Sequence, residues 1–196
     1  MKTKMTAQKG PLHGIRVLEL AHIMAGPVCG LMLADLGADV IKVEKMPGGD
    51  DSRGMVPPRV GDESAAFMMM NRNKRGVAIN LKDEGGRDVL RRLVEEADVL
   101  IENYRHDTME KLGLGYNDLK KINPGLVYCE ISGFGRSGPY REQGGFDLIA
   151  QGMSGLMSIT GEPGRGPMRV GIAVSDTSAG MFLGQGILLA LLQRER

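Results

Sequence analysis

Two aspartates, Asp147 and Asp176, have the residue type and the surroundings for carboxylate chemistry. Asp147 follows the segment Gly144-Gly145-Phe146, and Asp176 lies among small residues that leave room for a reacting group. Carboxylates can act as covalent nucleophiles. Both positions also precede or begin predicted helices, where a carboxylate stabilises the helix by accepting amide hydrogens. On spacing alone the capping role is favoured for each, and the catalytic role stays open.

Basic and amide side chains recur near the predicted ends of strands. Each cation by itself is typical of a solvated surface charge, but together they would suit a ligand with several phosphates. An amide and a stacking ring follow the fourth predicted strand, where a simple turn is an equally good explanation. These residues are Lys42, Lys45, Arg72, Lys74, Arg75 and Arg105, with Asn103 and Tyr104 as the amide and the ring.

Several familiar sites are absent from the sequence. It contains no G-x-G-x-x-G run and no P-loop, so the usual fingerprints of NAD and ATP binding are missing. The three histidines and the two cysteines, Cys29 and Cys129, show neither C-x-x-C nor H-E-x-x-H spacing. No metal site is therefore predicted.

The elements that must position these residues alternate between strand and helix. Apolar runs predict strands at 15–20, 39–44, 76–81, 98–102 and 126–132. Helices are predicted after residue 26, over 64–70 and 82–97, near 108–112 and 116–122, and over 146–157 and about 177–192. The segments 48–61, 71–76, 133–139 and 160–168 are predicted as loops or turns. This alternation predicts an α/β, Rossmann-like fold with a mainly parallel sheet flanked by helices.

Composition excludes several classes of protein. The chain has 196 residues, 42% of them hydrophobic, with 25 Lys+Arg against 24 Asp+Glu and a formal net charge of +1. This balance argues against disorder and against strong attraction to nucleic acid or anionic lipid. Two cysteines are too few for a disulfide scaffold, and the sequence shows neither the apolar core of a secretory signal peptide nor an apolar run long enough to span a membrane, so a cytoplasmic location away from the membrane is predicted.

Ordered motifs along nearly the whole chain resemble those of the class III CoA-transferases, which include formyl-CoA:oxalate and carnitine CoA-transferases. The motifs are Ala25-Gly26-Pro27, the run ADLGADVIKVE at 34–44, Asn73-Lys74-Arg75, IENYR at 101–105, Gly133-Phe134-Gly135 with Gly138-Pro139, Gly145-Phe146-Asp147, and Asp176. So many motifs in one order make chance agreement very unlikely. The resemblance implies the large CoA-binding domain of such an enzyme.

The resemblance also implies a mechanism in which Asp176 takes the acyl group from acyl-CoA as a mixed anhydride. The CoA thiolate then gives an aspartyl-CoA thioester, and a carboxylic acid acceptor regenerates an acyl-CoA product. Asp147 matches a second active-site carboxyl position. CoA contacts are implied at Met24, Ala25, Lys45, Ile79, Asn80, Leu81, Lys82, Asn103, Tyr104, Arg105, Lys111 and Gly144. Lys45 and Lys111 would face the phosphates, and no metal is implied.

Three positions depart from the pattern of particular members. Met24 stands where the formyl-CoA enzyme has a glutamine, and Gly144 stands where it has a lysine, so the resemblance leaves the acid substrate open. Related acyl-CoA racemases carry His directly before the first aspartate, whereas this chain has Phe146, which cannot transfer a proton. Transfer of CoA is therefore preferred to racemisation, and a CoA-binding module without turnover is the remaining alternative.

Members of this family are about twice as long as this chain and form interlocked homodimers. The last predicted helix is apolar on more than one face, and such a helix is normally buried. We therefore expect residues 1–196 to be the CoA-binding part of a longer protein, with residues 1–10 as a flexible leader. A homodimer is the assembly that the resemblance implies.

Overall fold

The structure is a computed structural model that describes residues 10–196, so nearly all of the predicted leader at 1–10 lies outside the described residues. Its strands are β1 (Arg16–Glu19), β2 (Asp39–Glu44), β3 (Arg59–Val60), β4 (Glu63–Ser64), β5 (Arg75–Ala78), β6 (Val99–Glu102) and β7 (Val127–Glu130). Its α-helices are α1 (Ala25–Asp35), α2 (Ala65–Asn71), α3 (Glu84–Glu95), α4 (Thr108–Lys111), α5 (Tyr116–Ile122), α6 (Asp147–Met153) and α7 (Val174–Arg194).

Five strands form one parallel sheet in the order β5-β2-β1-β6-β7. The central strand β1 pairs with β2 on one side and with β6 on the other, so that Val17 faces Val40 and Val99. The connections leaving β1 and β6 therefore turn in opposite directions along the sheet. In open α/β sheets this reversal of strand order leaves a crevice at the carboxyl ends of the strands.

Apolar side chains cover both faces of the sheet, which is the pattern expected for a parallel sheet enclosed by helices. Successive residues of β1 point to opposite faces, so Leu18 joins a core with α3 and α5 while Val17 joins a core with α1 and α7. Helices α1 and α7 approach closely because Gly180 has no side chain: a Cβ there would lie 2.5 Å from the Ala25 carbonyl oxygen. This packing brings the start of α7 beside the start of α1.

Helix α7 is the one helix within residues 10–196 that is long and apolar enough to cross a membrane by length and composition. Core helices of water-soluble proteins pass the same test. Ile187 and Leu191 are buried against the sheet, whereas Phe182 and Leu189 are 70% and 67% exposed. The prediction of an all-round apolar last helix is confirmed, and its outer face lies open in this chain.

The α/β fold is confirmed, but four predicted boundaries were wrong. The segment 48–61, predicted as loop, holds a short 3-10 turn and strand β3 of an antiparallel hairpin with β4. The third strand of the main sheet spans Arg75–Ala78 rather than 76–81, so Ile79–Leu81 follow the strand. Helix α6 ends at Met153, before the predicted residue 157. Helix α7 begins at Val174, three residues earlier than predicted, which places Asp176 inside its first turn.

Candidate active site

A cleft of about 430 Å³ opens at the carboxyl ends of β1 and β6, where the strand order reverses. Its walls come from the loops after β1, β6 and β7 and from the first turn of α7. The lining consists of residues 22–25, 103–106, 131–134 and 141–146, together with Lys45, Asp51, Ala150, Ser175, Asp176 and Ala179. The crevice is therefore in the place that the α/β topology favours for a nucleotide-type ligand.

The β1–α1 loop, residues 20–24, forms one wall of the cleft and is held by a side chain from the opposite wall. The Asn103 amide accepts a hydrogen bond from the His22 N–H and donates one to the His22 carbonyl, both at 2.8 Å. These two bonds join the loops after β1 and β6. The sequence allowed either a turn or a ligand contact at Asn103. The structure shows that Asn103 borders the cleft and also holds the two loops that form its walls.

Asp176 occupies the first turn of α7 and borders the cleft. The Asp147 carboxylate lies behind it: one oxygen, Oδ1, accepts from the Ser175 N–H at 2.8 Å and from the Asp176 N–H at 3.4 Å. The capping role considered for Asp147 is thus present, but Asp147 caps α7 and not its own helix α6, which has no side-chain cap. Asp147 and Asp176 are adjacent because the Asp147 carboxylate binds the backbone amides of Ser175 and Asp176.

Gln151, which was not among the predicted site residues, binds the second carboxylate oxygen of Asp147. Its side-chain nitrogen donates to Asp147 Oδ2 at 2.6 Å, while its side-chain oxygen accepts from the Val170 N–H at 2.8 Å. Gln151 is fully buried. Its spacing of one helical turn from Asp147 on α6 is the only signal in the sequence that could have pointed to it.

The electrostatic surroundings of Asp176 favour a reactive carboxylate. Burial raises the pKa of Asp176, and the nearby charge of Asp147 raises it further; within residues 10–196 no cation contributes to the shift. An acid without a counter-ion is a stronger base and a better nucleophile once ionised. The cysteines offer no rival nucleophile, because burial raises the pKa of both Cys29 and Cys129 to about 12.

An aromatic pair joins the two walls of the cleft, and a buried acid at the end of β6 lies next to it. Tyr104 lies beside His22, with 5.4 Å between the ring centroids and 3.4 Å between the hydroxyl and Nε2. The Tyr104 N–H donates to the Glu102 carboxylate at 2.8 Å. Burial raises the pKa of Glu102 to about 7, against the lowering effect of that hydrogen bond. His22 and Glu102 were not among the predicted site residues.

Most of the predicted ligand contacts border the cleft, and a minority do not. Those that do are Met24, Ala25, Lys45, Asn103, Tyr104, Arg105, Gly144 and Asp176. Ile79, Asn80, Leu81 and Lys82 follow the edge strand β5, and Lys111 ends α4, so these five lie outside the lining and stay predictions. Lys45 forms an ion pair with Asp51 across the rim.

Two of the cations that could have faced phosphates have a different place in the structure. The side chains of Lys42 and Lys74 are buried, where both pair with Glu19 and Lys42 also pairs with Asp50. We call Glu19, Lys42, Asp50 and Lys74 the charge tetrad. Both the expectation of a solvated surface charge and that of a phosphate contact are therefore wrong for these two lysines.

Metal ligation has no support among the described residues. Within residues 10–196 there is no group of three or more His, Cys, Asp or Glu side chains that could hold an ion.

Comparison with known proteins shows which family this chain is similar to. The model of CoA-transferase family III matches residues 12–196. A succinate–glutarate CoA-transferase from Agrobacterium fabrum is 49% identical, over 99% of this chain and 50% of that protein. A succinyl-CoA:glutarate CoA-transferase from Mus musculus is 45% identical, over 95% of this chain and 43% of that protein.

A solved structure gives the same result. A CAIB/BAIF family protein from Brucella suis matches with a TM-score of 0.93 and 49% identity, over 96% of this chain and 51% of that one. The chain thus spans about half the length of the curated relatives that it matches.

Proposed function

Because the chain belongs to CoA-transferase family III, we propose that the protein moves CoA from an acyl-CoA donor to a carboxylic acid acceptor. The observation that carries this proposal is the Asp176 carboxylate at the cleft, whose pKa is raised by burial and by Asp147 and to which no cation among residues 10–196 contributes. Transfer between a thioester and an acid can proceed through such a carboxylate nucleophile. Coenzyme A enters as a substrate, and no metal takes part.

The proposed reaction proceeds through an aspartyl-CoA thioester. Asp176 attacks the thioester carbonyl of the donor and releases CoA thiolate, which leaves a mixed anhydride on Asp176. The thiolate attacks the aspartyl carbonyl of that anhydride, so that the donor acid departs and Asp176 carries CoA. The acceptor carboxylate then attacks the aspartyl-CoA carbonyl, and the released thiolate takes the acyl group from the new anhydride, which restores Asp176.

Charges at the rim support binding of the CoA phosphates and of the acid. Lys45 and Arg105 border the cleft, and an exposed Lys45–Asp51 ion pair has little net stability to lose when a phosphate competes for the lysine. Since both curated relatives named above are CoA-transferases of glutarate, we propose a dicarboxylic acid as acceptor or donor acid. Lys111 and the segment after β5 remain proposed CoA contacts on the resemblance alone.

Racemisation is the weaker alternative. It requires an acid–base group that exchanges the α-proton, and the residue before Asp147 is Phe146, which borders the cleft and cannot carry a proton. A module that binds CoA without turnover is the second alternative, because the chain covers half of its relatives.

A cytoplasmic homodimer is the proposed setting. Large apolar side chains on and around α6 and α7 are exposed, including Phe182 at 70% and Ile159 at 83%. Exposed apolar surface of this kind is typical of an interface with another part of the protein or with a second subunit.

The experiment is a turnover assay of the complete gene product with a labelled acyl-CoA and a panel of mono- and dicarboxylic acids. Trapping with hydroxylamine or borohydride during turnover should mark Asp176 by mass spectrometry. Loss of turnover in Asp176→Asn together with this label supports the proposal. A label on another residue, α-proton exchange without acid transfer, or CoA binding without turnover would each replace it by one of the alternatives.

A further inference from the structure

The charge tetrad is a closed set of buried interactions beneath the β1–α1 loop. Lys42 Nζ lies 3.0 Å from Glu19 Oε1 and 2.8 Å from Asp50 Oδ2, and Lys74 Nζ lies 2.7 Å from Glu19 Oε2. The two acids and the two bases are all 2% exposed or less. Gly30 makes room for this set, because a Cβ there would lie 1.7 Å from Glu19 Oε2.

Both lysines also reach the backbone that enters and leaves the β1–α1 loop. Lys42 donates to the Ala21 carbonyl at 2.9 Å, and Lys74 donates to the Pro27 carbonyl at 2.8 Å. Lys74 also donates to the Asn71 side-chain oxygen at 3.0 Å. Each ammonium group therefore has three oxygen atoms within 3.0 Å, and one of the three is a backbone carbonyl beside the segment that carries Met24 and Ala25 into the cleft.

Asp50 holds the middle of the same loop. Its two carboxylate oxygens lie 3.1 and 3.3 Å from the Ile23 nitrogen, which donates to them. Ile23 has φ +67°, in the left-handed region that a β-branched residue rarely adopts. Such a conformation persists only where the surroundings hold it, and it is found most often at functional sites.

Stability alone does not account for four buried charges. Replacing a buried ion cluster with apolar residues of similar volume is often neutral or stabilising in other proteins. The contacts of the charge tetrad with the backbone at the β1–α1 loop explain the cluster better than a contribution to stability does. The apolar alternative would supply neither the donors for the Ala21 and Pro27 carbonyls nor the acceptor for the Ile23 N–H.

We propose that the charge tetrad is a positioning device for ligand binding, in which Asp50 holds Ile23 in its left-handed conformation and so sets Met24 and Ala25 against coenzyme A. The four residues act through the loop and do not touch the ligand. This inference rests on the proposed function only in that coenzyme A is the ligand of the cleft. The Asn73-Lys74-Arg75 motif thereby gains a role through Lys74.

The test compares Asp50→Ala, Ile23→Gly and the double variant with the wild-type protein, using the affinity for coenzyme A by calorimetry and the midpoint of thermal unfolding. Asp50→Ala removes the acceptor of the Ile23 N–H and should weaken binding roughly tenfold, which corresponds to about 1.4 kcal/mol. Glycine adopts the left-handed conformation without strain. The double variant should therefore recover most of the lost affinity while keeping the low unfolding midpoint, because Lys42 keeps Glu19 but has lost Asp50.

A stability-matched control separates positioning from general weakening. Val94→Ala removes buried volume on α3, in the core on the other face of the sheet, and should lower the unfolding midpoint without changing the affinity for coenzyme A. Equal loss of affinity in this control, or no recovery in the double variant, would overturn the inference. Failure of the wild-type protein to bind coenzyme A would instead refute the proposed function.

Amide hydrogen exchange of the wild-type protein provides a test that needs neither a variant nor a ligand. The Ile23 amide should exchange roughly 100-fold or more slowly than an unprotected peptide, as expected of a bonded amide in a well-packed segment. Exchange at the unprotected rate would show that Asp50 does not hold the loop, even if Asp50→Ala fails to fold.

Discussion

Asp50 and Asp176 are two aspartates near one cleft, but their surroundings shift their pKa values in opposite directions. Asp50 is fully buried, and burial by itself would raise its pKa, but the charge of Lys42 and several hydrogen bonds lower the pKa to about 2. Asp176 is half-buried, and its pKa is raised by burial and by the charge of Asp147. Lys42 and several hydrogen bonds thus offset the charge of Asp50, whereas no cation among residues 10–196 offsets that of Asp176.

The difference separates a carboxylate that holds structure from one that can react. Asp50 has all of its interactions satisfied within the fold, so its charge stabilises the loop and is not available to a substrate. Asp176 borders the cleft, and within residues 10–196 no hydrogen bond reaches its carboxylate, whereas its backbone N–H is bound by Asp147. Burial alone therefore does not distinguish the two acids; the cations that surround each carboxylate do.

The largest effect that distinguishes these two acids is on turnover. Asp176→Asn should lower kcat by roughly 10⁴-fold or more, the scale seen when a covalent nucleophile is removed. The folded protein should not lose stability at neutral pH, since the folded-state pKa is raised and ionised Asp176 therefore disfavours folding there. Steady-state kinetics and denaturant unfolding measure the two quantities. Retained turnover would remove Asp176 from the mechanism.

The same substitution at Asp50 should act on stability with the opposite sign. Asp50→Asn leaves Lys42 buried without one partner, and breaking a buried pair costs about 3–5 kcal/mol. Because the folded-state pKa is depressed, this stabilisation is present above roughly pH 4 and is lost as the pH falls toward 2. Urea unfolding across that range measures it. Asp35→Asn, which breaks an exposed pair with Arg72, is the matched control and should cost less than about 1 kcal/mol.

Glu102 tests whether the cations near an acid, rather than the position of the acid relative to the cleft, determine its pKa and its effect on stability. Its pKa is raised to about 7, so its ionisation lowers stability as the pH rises from roughly 4 to 7. Glu102→Gln keeps an oxygen for the Tyr104 N–H and should raise stability at pH 8 by about 1–2 kcal/mol. The gain should shrink toward pH 5 in thermal unfolding. A gain that does not depend on pH, or an equal gain in the exposed control Glu162→Gln, contradicts this explanation.

The smallest expected effect concerns the support behind Asp176. Gln151→Glu places a carboxylate against Asp147 and should shift the acid limb of the kcat profile upward by about half a pH unit, because added negative charge raises the pKa of Asp176 further. Gln151→Met removes the donor without adding charge and should shift it less. A profile that stays in place in Gln151→Glu would mean that Asp147 and Gln151 do not influence the ionisation of Asp176.

Much of this fold could be predicted from residue patterns within single strands and helices. The five parallel strands follow from apolar runs separated by amphipathic or turn-rich segments, and α3 follows from apolar residues at helical spacing. The family resemblance, and not spacing, singled out Asp176 and Asn103, both of which border the cleft. The short hairpin of β3 and β4 was missed because two-residue strands in a charged, proline-rich segment have no periodic signal.

Interactions between distant segments were settled only by the tertiary structure. The sequence could not show that Lys42 and Lys74 are buried, because their neutralisation needs acids supplied by β1 and by the turn after β2. It could not show that Asp147 caps another helix, because that depends on how α6 packs against α7. Local propensity selects strands and helices, whereas the environment of a charge depends on which strand ends the sheet order places side by side.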